Sequence, residues 1–220
     1  MEREAFLARV RSATQTATLP AYPTSDPGLL VPDLESRDVI DLFIERSNEV
    51  EGLVHRVEAA GVPAEIVEIA ARHGVDSFMA WDSELPGLDG VSAALLAAGL
   101  SEMSGVVDAT GRLAQQMRYI SLGLGVTGAE AAFAESGTLV LRSGPGRPRM
   151  ASLIPLVHVA VLDQRRIHRS LAHWANDQAG TVADATNVVF VTGPSRTADI
   201  EQHINVGVHG PRLVHVILTG

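Results

Sequence analysis

Three short stretches of this sequence combine side chains able to move protons or hold anions with glycines able to let a ligand approach. In Ala134-Glu135-Ser136-Gly137-Thr138 a carboxylate stands at a turn into an apolar run. Read as the end of a short helix over 129–135 followed by a strand over 138–142, it lies at a sheet edge, where ligands bind in open α/β folds. Glu135 is then a candidate base, with a solvated helix-end glutamate as the plain alternative. In Arg142-Ser143-Gly144-Pro145-Gly146-Arg147-Pro148-Arg149 three guanidiniums share a glycine-proline loop. Arg147 and Arg149 can cradle a carboxylate or phosphate, or they can pair with the acidic excess of the chain. In Ser195-Arg196-Thr197-Ala198-Asp199-Ile200-Glu201 either Ser195 or Thr197 can cap a helix over 198–204 with acids in its first turn. Capping leaves Arg196 unexplained, because a cation at the positive end of a helix needs an anion nearby. Arg196 is therefore expected to bind a substrate carboxylate or to pair with Asp199 or Glu135, and Ser195 and Thr197 join it as binding candidates.

The histidines divide by position. His158 alternates with Leu156 and Ala160 on an apolar run, and His215 sits in a similar one, so both read as buried, hydrogen-bonded core residues. His209, in Gly207-Val208-His209-Gly210-Pro211, falls on a turn and is an acid-base candidate, since imidazole titrates near neutrality. No histidine pair has metal-ligand spacing with a third ligand. Gly123-Leu124-Gly125-Val126-Thr127-Gly128 fits the dinucleotide fingerprint, with Arg142 as a conceivable phosphate clamp. The interval from Gly128 to the strand at Thr138 is nevertheless shorter than the roughly 10 to 12 residues that a strand-helix-strand crossover needs. The glycines read instead as permitting a sharp strand-to-helix turn.

Composition narrows the chemistry. The formal charge of −9 and the lack of a basic stripe argue against nucleic acid and anionic membranes. Zero cysteines exclude thiol nucleophiles and any cysteine-ligated iron-sulfur cluster on this chain; with the dinucleotide and metal patterns also set aside, no cofactor is expected to be bound by it. All 17 cations are arginine, which removes Schiff-base chemistry. No apolar run approaches the roughly 20 residues of a membrane span. The start, with charges of both signs and no leader pattern, is that expected of a cytoplasmic protein.

The elements that must position these residues begin with a helix over 1–18 and an arm carrying Pro20, Pro23, Pro27 and Pro32. Apolar residues at Val39, Phe43, Val50, Leu53, Val54 and Val57 predict one amphipathic helix over 38–60, and Pro63 to His73 a second. Strands follow over 77–81, 119–126, 138–142, 156–162, 187–192 and 213–218, and helices over 91–98, 129–135, 165–176 and 198–204. The pattern predicts an α/β layered fold with a largely parallel sheet over 38–220, preceded by a helical and proline-rich extension over 1–37.

Val126 to Thr138, Gly144 to Arg149 and Gly193 to Glu201, running on into Gly207 to Pro211, together resemble the LUD-domain family, specifically its lactate-utilisation protein C branch. The resemblance is close from Tyr119 onward. It implies a fold similar to the sugar-phosphate isomerase and CoA-transferase superfamily, in which a glutamate near a glycine acts as nucleophile or base, and so favours Glu135. It also implies a subunit of a system oxidising L-lactate to pyruvate with cysteine-rich iron-sulfur proteins as partners, the clusters residing on them. Glu135 and His209 would then act on a small carboxylate held by Arg147, Arg149, Ser195, Arg196 and Thr197. The alternatives are a stand-alone transferase or isomerase acting on CoA esters or sugar phosphates, and a non-catalytic assembly or regulatory subunit.

Overall fold

A computed structural model of the chain describes residues 3–16, 37–82, 87–105, 119–178, 185–198, 204–206 and 210–220. Contacts divide it into two units, Met1–Pro32 and Asp33–Gly220. The first contains helix α1 (Arg3–Thr16), where the sequence predicts one. The prolines of the arm lie outside the described residues.

The second unit opens with α2 (Val39–Glu49), whose N-terminus is fixed by the Asp38 carboxylate accepting from the Ile40 and Asp41 amides at 2.9 and 3.0 Å. Here the expected helix over 38–60 is wrong in its second half. Glu51 takes φ 64°, the chain reverses, and Gly52–Arg56 becomes strand β1. The three-and-four spacing of Val50, Leu53, Val54 and Val57 imitates a helical face, but pairing with a distant strand decides the outcome. Helix α3 (Val62–Arg72), with Pro63 in its first turn, leads to β2 (Ser77–Ala80), α4 (Val91–Ala97) and β3 (Ser101–Glu102). Strand β4 (Leu124–Gly128) starts later than predicted, and the expected helix over 129–135 is instead β5 (Ala131–Phe133) and a turn. That turn leads into β6 (Thr138–Ser143). All three residues of β5 are buried, and burial on a sheet outweighs the helix preference of alanine.

Beyond these come α5 (Met150–Leu153), β7 (Val157–Asp163) and β8 (Ile167–His168). Helix α6 (Leu171–Gln178) is shorter than the predicted 165–176 span at its start, where a 3-10 turn and β8 stand instead. Strand β9 (Asn187–Val191) is followed by a ribbon of β10 (Arg196–Ala198) and β11 (Ile204–Val206), and β12 (Leu213–Thr219) comes last. The ribbon replaces the start and end of the helix expected over 198–204.

Six strands form one sheet in the order β1-β12-β7-β4-β2-β3, every pairing parallel. Its centre is β7 and β12, near-continuous apolar runs of the kind a parallel sheet covered on both faces requires. Gly125 on β4 faces α5. A Cβ there would stand 1.7 Å from the Ala151 carbonyl oxygen, so only glycine lets the helix lie this close. The glycine-rich fingerprint is therefore a packing device, neither a nucleotide loop nor a strand-to-helix turn. A second sheet, ordered β8-β5-β6-β9, mixes parallel and antiparallel pairing, which the sequence pattern did not suggest.

Candidate functional site

In the large sheet β2 is followed by β3 on one side, whereas β4, β7 and β12 build outward on the other. Such a reversal of direction opens a crevice at the carboxyl ends of the strands, the place where open α/β sheets bind ligands. A cleft of about 1020 Å³ lies there, walled by Trp81 and Asp82 after β2, Asp89 before α4, Glu102 of β3 and the turn from Gly144 to Pro148.

The turn is fastened to the end of β2. Gly144 and Arg147 exchange backbone hydrogen bonds at 3.3 and 3.0 Å, closing a tight loop that the glycines and Pro145 favour. The Asp82 amide donates to the Gly146 carbonyl at 2.7 Å, and Trp81 Nε1 donates to the Pro148 carbonyl at 3.0 Å. Trp81 is buried and its one polar atom is satisfied, so it forms a rigid wall. Arg147 and Arg149 stand on the same segment, partly and well exposed respectively, beside the cleft and outside its lining. Among the described residues neither forms an ion pair or a side-chain hydrogen bond, so the expected alternative of pairing with the acidic excess is met by Arg142 instead, 3.4 Å from Glu130. Three carboxylates inside and two guanidiniums beside it give the site both signs of charge.

The remaining sequence candidates lie elsewhere. Glu135 is on the turn between β5 and β6, where its Oε1 accepts from the Leu171 amide at 2.9 Å and caps the start of α6. Its neighbours Ser136 and Thr138 join hydroxyls at 2.7 Å, and Thr138 meets the Thr192 hydroxyl at 2.8 Å. Gly137 takes φ 65°, and a Cβ there would come within 2.5 Å of the Ser47 amide nitrogen. Every residue from Glu135 to Thr138 thus has a structural task. Arg196 pairs with Glu51 at 3.1 Å, not with Glu135, and both side chains are exposed, so the pair contributes at most about 1 kcal/mol. Ser195 caps no helix; its amide donates to the Pro211 carbonyl at 2.9 Å. Thr197 lies within β10, and His209 lies outside the described residues. The structure therefore keeps Arg147 and Arg149 on the one segment beside the cleft and leaves Glu135, Ser195 and Arg196 at separate contacts.

His158 is fully buried, as expected of a core residue, with Nε2 2.9 Å from the Thr127 hydroxyl. Burial pushes its pKa down to about 4, which keeps it neutral. Trp81, Asp82, Asp89 and Glu102 carry no motif that singles them out in the sequence. Only the end of a predicted strand at Trp81 signalled them, because the switch in strand order cannot be read before the pairing is known.

Comparison with known proteins identifies the family and the fold. A "Lactate utilization protein C" of Exiguobacterium sp. is 40% identical over 99 residues, 43% of each chain. One from Shouchella clausii is 24% identical over 218 residues, covering 95% of this chain and 93% of its own. The alignment with the Exiguobacterium protein thus spans under half the length of that relative. A crystal structure of a DUF162 family protein from Deinococcus radiodurans shares the fold, with a TM-score of 0.58 at 20% identity over 83% of this chain and 96% of that one. The LUD domain family model matches residues 40–219, nearly the whole of the second unit, and the chain belongs to the LUD domain family.

Proposed function

We propose that this chain is a component of an L-lactate utilisation system, acting in the cytoplasm with cysteine-rich iron-sulfur partners that carry the clusters it has no cysteines to hold. The relatives named lactate utilization protein C support the pathway. The observation that carries the binding role is the pair Arg147 and Arg149 beside the switch-point cleft, two guanidiniums without an internal carboxylate partner among the described residues. A small 2-hydroxy carboxylate takes that place, held by paired charge-assisted hydrogen bonds. Glu135 is engaged at α6 and Arg196 with Glu51, so neither is required for this contact.

A ligand that binds only the folded state raises its unfolding temperature. Millimolar L-lactate is expected to do so for the unaltered protein and not for Arg147→Ala/Arg149→Ala, and no shift in either sinks the carboxylate assignment. Purification of the tagged chain from its source cells grown on L-lactate, without oxygen, should bring cysteine-rich iron-sulfur proteins with it.

One observation favours a second reading. At about 1020 Å³ the cleft is far larger than lactate requires and stands at the upper end of the roughly 300 to 1,000 Å³ typical of small-molecule sites. A stand-alone enzyme acting on CoA esters or sugar phosphates would fill it. Recovery of the chain alone, with a thermal shift from CoA and none from lactate, would select that reading.

A further inference from the structure

Outside the cleft, four titratable side chains form a continuous hydrogen-bonded row between α3 and the edge of the large sheet. Glu65 Oε1 lies 2.9 Å from His55 Nδ1, His55 Nε2 lies 2.9 Å from His215 Nδ1, and His215 Nε2 lies 3.0 Å from His73 Nε2. Glu65 is in the first turn of α3 and His73 caps its other end, eight residues and about 12 Å apart along the helix axis. His55 comes from β1 and His215 from β12, so the row ties one helix to two strands.

Proton counting fixes the state of every ring. An ionised Glu65 only accepts, so His55 donates from Nδ1 and offers the Nε2 lone pair. His215 must then donate from Nδ1 and accept at Nε2, and His73 must donate from Nε2. All three bonds are satisfied with all three rings neutral. A first added proton has a place, His73 Nδ1, which has no partner among the described residues. On the rings a second has none: whichever ring nitrogen takes it, two donors face each other and one bond is lost.

The surroundings reinforce neutrality. His215 is 1% exposed and pairs in register with Leu53 and Val159, and beyond the row itself Arg72 on α3, paired with Glu68, acts on it. Arg56, next on β1, pairs with Asp41 of α2. We propose that Glu65, His55, His215 and His73 form an acid-sensitive clamp that fastens α3 to the β1–β12 edge, tolerating one added proton and opening on the second. Burial and the two neighbouring histidines push the pKa of His215 down to about 4, and burial with Arg72 lowers that of His73, so the clamp is closed at neutral pH.

Histidine-selective nitrogen NMR on the full chain tests the proton order directly. At pH 8 His55 and His215 are expected as Nδ1–H tautomers and His73 as Nε2–H. Amide exchange supplies the second readout: after correction for intrinsic rates, α3 should lose at least about tenfold protection relative to α6 between pH 8 and pH 5, the equivalent of one pKa unit. His215→Asn should make that ratio independent of pH. An Nε2–H tautomer at His55 or His215, or an unchanged ratio in the unaltered protein, would overturn the clamp, and neither measurement depends on the variant folding.

Discussion

The large parallel sheet and the smaller mixed sheet solve the burial problem in different ways. The large one depends on long apolar strands, β7 and β12, stacked at its middle and covered by helices. The small one depends on short strands joined by side-chain detail: a three-hydroxyl row, a carboxylate capping α6, and an aromatic group of Phe133, Trp174 and Phe190 with ring centroids 5.7 to 6.2 Å apart. The most recognisable sequence signature, Ala134 to Thr138, belongs to the small sheet and is occupied with holding it together. The residues proposed for binding, Arg147 and Arg149, stand on the turn after β6 that is fastened to the end of β2. A motif that looks chemical can mark a fold's most demanding joint.

Substitutions that load one sheet and spare the other sharpen this contrast. Gly125→Val should have the largest effect, because its side chain meets the Ala151 carbonyl and Pro155 at once; a loss of about 4 kcal/mol or outright failure to fold is expected in urea unfolding. Trp174→Ala removes the centre of the aromatic group and should cost about 3 kcal/mol. If the two sheets are separable, exchange protection will fall first in β5, β6 and β9 and leave β7 intact; equal loss in both breaks the distinction.

Acid should weaken the large sheet next. His158 is neutral when folded with a pKa near 4, whereas the unfolded chain takes up that proton near 6.5. The folded-state value being depressed, its stabilisation is complete above pH 6.5 and declines as pH falls toward 4. Between pH 7.5 and 5 this amounts to about 2 kcal/mol, and His158→Asn should remove that share of the slope measured by denaturant titration. Smallest of all, Glu135→Gln keeps an oxygen for the Leu171 amide and loses only charge at a helix start, so about 0.5 kcal/mol is expected. A larger loss in lactate oxidation than in stability would return Glu135 to a chemical role.

The parallel sheet was legible because β2, β7 and β12 are apolar runs that only a strand accommodates, and α3 and α4 carry helical spacing with clear stops. Residues 50–57 misled because Val50, Leu53, Val54 and Val57 fit a helix, while their actual partner, β12, lies some 160 positions away. Ala131-Ala132-Phe133 misled through alanine content. At the site, Arg147 and Arg149 could be picked out by composition alone, a glycine-proline loop with cations. Asp82, Asp89 and Glu102 could not, since only strand order gathers them, and the histidine row is assembled from three separate elements.

The position of β1 has a temporal consequence. Among the described residues β1 pairs only with β12, so residues 52–56 have no described strand beside them until residues 213–219 exist. At roughly 5 to 20 residues per second, a growing chain holds that segment unpaired for about 8 to 30 seconds. His55 and Leu53 lack β12 during that interval, while α2 and α3, which contact β1 and His55 in the folded protein, are already made.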